Sequence, residues 1–223
     1  MIDHKLNNVD SEDIEDLLLK VEKSFDIKFA DFELANVTTF GELCDHIANK
    51  IELENFEDCT TQQAFYKLRQ SISVSLYFNV SELTPATSVT HILPRPNRIA
   101  KVKKLEEHLG FKLNILRPKH SISGTLILSL LASLVALFFQ WKVGVLGLAI
   151  SIFGLWLAGK MGKETDLTNL GEIVEKMTRE NYLKSRSNPR TFNKKEVEKV
   201  LMDLFSLEFD FEKVELTRDA KLF

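Results

Sequence analysis

The residues that most often carry out chemistry in proteins are few and scattered in this sequence. The two cysteines, Cys44 and Cys59, do not form a CxxC pair, and two thiols cannot close a zinc site without further ligands. The chain shows neither a nucleophile–base pair nor a glycine-rich phosphate loop. The histidines stand singly, at His4, His46, His91, His108 and His120. The sequence therefore predicts no metal site and no enzyme, and we interpret these residues as ordinary core or surface positions.

One serine stands where a helix is expected to begin. Asp10 and Ser11 precede an acidic first turn, and apolar residues then recur at helical spacing up to Phe25. Acidic side chains in a first turn are stabilised by the positive end of the helix dipole. The pattern predicts a helix from Asp10 to Phe25, in which a simple capping role explains Ser11 without chemistry.

Two uncharged apolar runs occupy the middle of the chain, Ile122 to Phe139 and Val143 to Gly159. A bilayer core of about 30 Å requires about 20 helical residues, with about 17 as the lower limit. Backbone amides cannot stay unpaired in lipid, so each run should be a helix, and the three linking residues allow only an antiparallel hairpin. The alternative is a helical hairpin buried inside a soluble core.

The charges around these runs predict their orientation. The turn carries only Lys142, whereas the outer ends are flanked by Lys112, Arg117, Lys119, Lys160 and Lys163. The positive-inside bias then places both termini in the cytoplasm, with Trp141 as an interfacial anchor at the turn. We therefore expect a two-pass protein of the cytoplasmic membrane that contacts the lipid bilayer.

Composition limits what the soluble parts can be. The 223 residues are 44% hydrophobic and 27% charged, with a formal net charge of -3. About 180 residues remain outside the hairpin, enough for two small domains but not for one large enzyme. The near-neutral charge gives no sign of nucleic-acid binding. A basic cluster before the membrane is either a solvated helix face or a contact for anionic headgroups: Arg95, Arg98, Lys101, Lys103 and Lys104.

The soluble stretches show helical periodicity and no alternating strand of useful length, so the predicted fold class is all-α. Three helix types each occur twice. The matching stretches are Phe40–Leu43 with Leu170–Ile173, Glu82–Ala86 with Glu215–Asp219, and Val21–Phe29 with Leu105–Leu113. Further helices are predicted after Thr60 and after Asn193.

The stretch from Asp10 through Phe25-Asp26-Ile27 to Thr38-Thr39-Phe40-Gly41-Glu42-Leu43 resembles the second and third main helices of acyl carrier proteins. In that family an aspartate–serine pair opens the second helix, and the serine carries 4′-phosphopantetheine. The resemblance therefore implies this prosthetic group on Ser11, although Glu12 replaces the usual leucine. It also implies that an acidic face contacts basic patches on partner enzymes, the alternative being a merely solvated face. That face comprises Glu12, Glu15, Asp16 and Glu22.

The helices after Thr60 and Asn193 resemble the first helix of the same family. Residues 1–55 would supply second and third helices, 60–118 the first and second helices of a middle bundle, and 119–163 the transmembrane hairpin. Residues 164–223 would supply the third helix of the middle bundle and the first helix that completes the N-terminal bundle. Each helix is too short to be stable alone, and this circularly permuted pairing gives every apolar face a partner. Arg95 takes the serine place of the middle bundle.

The resemblance implies a membrane-anchored protein that presents a carrier or pseudo-carrier domain to cytoplasmic acyl-processing enzymes and to a phosphopantetheinyl transferase. The alternative is a non-catalytic membrane adaptor with a degenerate carrier fold and no prosthetic group. A mass shift on Ser11 separates these two hypotheses.

Overall fold

The computed structural model describes residues 11–209 and 216–222, and Asp10 lies outside them. Within these residues the chain is mostly helical, which confirms that part of the predicted class. The elements in chain order are α1 (Ser11–Phe25), α2 (Phe40–Lys50), β1 (Glu54–Asn55), α3 (Thr60–Leu76), α4 (Val89–Ile92), α5 (Arg98–Leu109), α6 (His120–Phe139), α7 (Trp141–Lys160), α8 (Leu170–Glu180), α9 (Tyr182–Ser185), β2 (Thr191–Phe192) and α10 (Lys194–Phe209). The two short strands pair in parallel, a contact that the sequence did not predict.

The first buried core, named here the terminal core, joins α1 and α2 to α10. Its buried residues include Leu17, Val21, Phe25, Phe40, Leu43, Ile47, Leu201, Leu204, Phe205, Leu216, Ala220 and Leu222. The rings of Phe40 and Phe205 meet edge to face, with centroids 5.3 Å apart. Helix α10 therefore packs on the pair of helices from the other end of the chain, and this packing buries its apolar face.

The second buried core, named here the middle core, joins α3, α5 and α8. Its buried residues include Ala64, Leu68, Ile72, Leu83, Val89, Val102, Leu105, Leu109, Ile173, Val174 and Met177. The hairpin of α6 and α7 leaves this core after α5 and returns to it before α8. The connection between two packed helices is thus where the apolar segment is inserted.

The same backbone hydrogen bonds close both cores. In each, the start of one helix (α2 or α8) is tied to an extended loop segment. The matched donors and acceptors are Phe40 to Ala220 (2.9 Å) with Leu170 to Thr87 (3.0 Å), Gly41 to Arg218 with Gly171 to Pro85 (both 2.8 Å), and Leu222 to Thr38 with Val89 to Thr168 (both 2.9 Å). The first two bonds of each set satisfy N–H groups that a helix start leaves without an intrahelical partner, and the third runs to the carbonyl of the residue before the cap.

The caps of α2 and α8 also match. The Thr39 side chain accepts a hydrogen bond from the backbone N–H of Glu42, and Asn169 does the same for Glu172. Each glutamate carboxylate in turn accepts from the threonine that precedes the cap, Thr38 or Thr168. These hydrogen bonds to the ionised form lower the pKa of both glutamates.

Helices α6 and α7 pack closely on each other. A Cβ atom on Gly147 would lie 2.3 Å from Ser133 Oγ, and Ser151 Oγ donates to Ser129 Oγ at 3.0 Å. Small residues of this kind let two membrane helices approach. The remaining surface of the hairpin is open: none of the most hydrophobic stretch of α6 and 11% of that of α7 is buried. Both helices are long and apolar enough to span a membrane, and the alternative of a hairpin buried in a soluble core is wrong.

Candidate docking face and hairpin base

The exposed side of α1 is acidic. Ile14, Leu17 and Val21 turn into the terminal core, and their helical spacing leaves the opposite side of the helix in solvent. Glu12, Glu15 and Asp16 lie on that opposite side and are exposed. The side chain of Ser11, the predicted attachment site, lies outside the described residues, and only its backbone place at the start of α1 is given.

An exposed leucine accompanies these acids. Leu19 follows Glu15 by four positions and Asp16 by three, so all three share one face of α1, and 61% of Leu19 is exposed. An apolar side chain among carboxylates offers a partner both a contact to bury and charges to pair. We refer to Glu12, Glu15, Asp16 and Leu19 as the docking face.

Glu22, the fourth acid of the predicted contact face, takes part in a turn of the fold. Its carboxylate accepts a hydrogen bond of 2.6 Å from the backbone N–H of Phe29, where it fixes the turn that leaves α1. Glu106 binds the N–H of Leu113 in the same way at 2.7 Å, in the turn that leaves α5. Glu22 thus contributes a hydrogen bond to the fold, and the partner contact predicted for it stays a prediction.

The start of α5 differs chemically from the start of α1. Arg95 Nη2 donates to Glu164 Oε1 at 2.5 Å, which ties this helix start to the chain that follows α7. The neighbouring Arg98 is buried, and its guanidinium donates to the carbonyls of Leu93 (2.8 Å) and Lys163 (2.7 Å). Arg98 thus connects the middle core to the chain that leaves the hairpin through two hydrogen bonds. The prediction that Arg98 belongs to a solvated or headgroup-facing basic cluster is wrong, because the residue is buried.

A second buried arginine joins the two cores. Arg186 is fully buried and donates to Asp58, to Thr60 Oγ1 at 2.5 Å and to Thr191 Oγ1. Tyr182 lies beside it, with its hydroxyl donating to Glu196 at 2.9 Å, and burial raises the pKa of Tyr182 to about 12. A buried arginine is tolerated only when its charge and donors are satisfied, so this network has a structural role.

The cysteines and histidines form no reactive site within residues 11–209 and 216–222. Burial raises the pKa of the Cys44 thiol to about 12, which suppresses the nucleophilic thiolate. His46 Nε2 lies 2.7 Å from Glu33, whose pKa is lowered to about 2, chiefly by the hydrogen bond from Lys50. In the same residues no three metal-ligating side chains lie close enough to hold an ion.

The chemistry offered by this geometry is recognition: an acidic face on α1 and a basic junction at the hairpin base. Neither a protein-family model, nor a curated protein, nor a solved structure matches this chain.

Proposed function

We propose that this protein is a two-pass membrane protein that presents a carrier-like module to cytoplasmic acyl-processing enzymes through its docking face. The observation that carries the proposal is the exposed acidic side of α1, with the exposed Leu19 next to the acids, on a bundle attached to an exposed apolar hairpin. Charge complementarity on such a face governs encounter rate and partner choice more than it governs affinity.

The carrier-like nature of the module is supported by how each core is assembled. Leu68 and Leu201 are fully buried in matching helices, and each core is closed by the same three backbone hydrogen bonds. We infer that the chain is a duplicated three-helix bundle, with the terminal copy circularly permuted and the middle copy interrupted by the hairpin. The resemblance of residues 10–43 to the second and third helices of acyl carrier proteins is the reason to propose that this bundle is carrier-like.

Membrane insertion is supported by the unburied apolar surface of α6 and α7. Leu128, Phe138 and Phe153 are each more than 60% exposed, on helices whose most hydrophobic stretches are almost entirely unburied. Soluble monomers rarely leave a large contiguous apolar surface in water. Trp156 and Trp141 lie near opposite ends of α7, where indole rings favour the two interfaces. We expect the chain to stay in membranes washed with carbonate or high salt, and both soluble cores to be digested by protease from the cytoplasmic side. Release by salt alone would contradict the proposal.

Two versions of this function differ at Ser11. In the carrier version, Ser11 bears 4′-phosphopantetheine and the acidic face guides the transferase and the acyl-processing enzymes. Incubation with coenzyme A and a broad-specificity phosphopantetheinyl transferase would then raise the intact mass by one phosphopantetheine group, and Ser11→Ala would abolish the increase. Reversing charge in Glu15→Lys should slow the modification, whereas Glu52→Lys, an exposed acid outside the docking face, should leave its rate unchanged.

The adaptor version is favoured by the start of α5. Arg95 and its ion pair with Glu164 stand where the duplicated bundle would carry its second serine, so the middle copy has no hydroxyl to modify. If incubation with coenzyme A and the transferase also leaves the intact mass unchanged, Ser11 is not modified and neither copy carries a prosthetic group. The protein would then be a membrane-anchored interaction module that uses the docking face alone.

A further inference from the structure

A cavity of about 390 Å³ opens at the base of the hairpin, between the start of α6, the end of α7 and the segment around Arg95. Its apolar wall includes Ile122, Leu157 and Met161, and its rim carries the basic residues Lys119 and Lys163. Helices of 20 residues are about 30 Å long, so their ends reach the headgroup level of a bilayer. The cavity therefore combines an apolar side toward the lipid with a basic rim at the interface.

The charge of this cavity is unbalanced. Arg95, Lys119 and Lys163 are its three basic lining residues and Glu164 its one acid, so the lining carries a net charge of +2. Glu164 is already engaged by Arg95 at 2.5 Å. Lys119 and Lys163 are exposed, and neither has an ion-pair partner among residues 11–209 and 216–222. Two lysine ammonium groups are thus left without a counter-ion at the mouth of an apolar cavity.

The wall behind the lysines is held rigid. The backbones of Arg117 and Glu164 exchange two hydrogen bonds, of 2.9 and 3.0 Å, across the two chain segments that enter and leave the hairpin. A Cβ atom on Gly162 would lie 2.5 Å from the backbone of Arg117, so only glycine permits this approach. Because the frame is fixed, a ligand would not have to order it, which favours binding.

We propose that this cavity binds the headgroup of one anionic phospholipid, with the phosphate between Lys119 and Lys163 and an acyl chain along Ile122 and Leu157. This inference rests on the proposed insertion of the hairpin. A membrane lipid is the occupant that fits, because the basic rim and the apolar wall lie together at the depth where headgroups and acyl chains meet. A free phosphate ion would use only the rim.

The test uses the full chain in mild detergent and native mass spectrometry of bound lipid, with phosphatidylglycerol and phosphatidylcholine of identical acyl chains. We expect phosphatidylglycerol to be retained preferentially. A basic residue near an anionic headgroup contributes about fivefold in affinity, so Lys119→Gln with Lys163→Gln should weaken phosphatidylglycerol retention about 25-fold. Glu164→Gln removes the only acid of the lining and should strengthen it, while phosphatidylcholine should respond to neither change.

The matched control is Lys103→Gln with Lys104→Gln, two exposed lysines of α5 that do not line the cavity. Equal retention of the two lipids, or an equal loss in the control, would overturn the proposal, as would displacement of the lipid by inorganic phosphate that binds as tightly. If carbonate releases the chain from membranes, the membrane proposal fails together with this one. If the chain stays inserted but shows no preference between the lipids, only the lipid site is refuted.

Discussion

The terminal core and the middle core use the same contacts but differ in what links their helices. In the terminal core, α1 and α2 are joined by a short irregular segment, and the matching helix α10 comes from far along the chain. In the middle core, only the one-turn helix α4 lies between α3 and α5, and the hairpin stands between α5 and α8. Both cores are therefore defined by how their helices pack and not by the order of those helices along the chain.

The hairpin is tolerated because its two ends lie side by side. Arg117 and Glu164 pair through their backbones, so the chain leaves and re-enters the middle core at one place. An insertion whose ends are adjacent does not have to displace the helices that flank it. The helices of the terminal core carry no such insertion.

The largest expected effect comes from emptying the matched core positions. Leu201→Ala and Leu68→Ala each remove a fully buried side chain and should lower the free energy of unfolding by about 2–5 kcal/mol. Hydrogen exchange should show that each change deprotects mainly its own core. Leu19→Ala, at an exposed position, is the control and should be near neutral. An unchanged free energy of unfolding for Leu201→Ala in denaturant titration would contradict the packing of α10 on α1 and α2.

The caps provide a smaller, matched comparison. Thr39→Ala removes the side-chain acceptor at the start of α2, and Asn169→Ala removes the one at the start of α8. Each should cost about 1 kcal/mol in the free energy of unfolding, measured by denaturant titration. Costs that differ by more than about threefold would mean that the two helix starts, despite the same hydrogen bonds, are not energetically equivalent.

The smallest expected effect is a difference between the two cores in their stability at acidic pH. Glu33 lies in the terminal core's connecting segment, and its pKa falls from an ordinary value of 4.5 to about 2 in the folded chain, chiefly through Lys50. A lowered folded pKa means that this stabilisation is complete above about pH 4.5 and is lost as the pH falls toward about 2. The capping glutamates Glu42 and Glu172 also have lowered pKa values, one in each core, so acid removes their stabilisation from both cores alike. Acid should therefore deprotect amides of the terminal core first, and Glu33→Gln should reduce that difference. Identical acid profiles for both cores would contradict it.

The helices were predictable because their apolar residues recur at helical spacing. Leu201 and Phe205 of α10 lie in the same core as Leu17 of α1, and the interpretation of this packing as a permuted repeat stays a prediction. The apolar spacing does not give the exact helix ends, which depend on local caps: Asn169 caps α8, which begins at Leu170 and ends at Glu180.

The buried arginines were not predictable. Arg186 binds Asp58 and Thr60, more than a hundred positions away, and no local pattern marks such a partner. The same holds for Arg98, which in the sequence belongs to a run of basic residues and in the structure is buried against carbonyls on both sides of the hairpin. The role of Ser11 stays a prediction from the resemblance, since the order of helices does not report on a covalent group.

The chain order of the terminal core has a consequence for synthesis. Helices α1 and α2 leave the ribosome first, but the residues that cover them, 194–222, are made after the hairpin has been translated. At about 5–20 residues per second, this leaves the first two helices without their cover for roughly 10–30 seconds. During that interval Leu17, Val21 and Phe40 lack α10, and the docking face has no folded support. A nascent chain would acquire a structurally supported acidic face only after its apolar hairpin has been made.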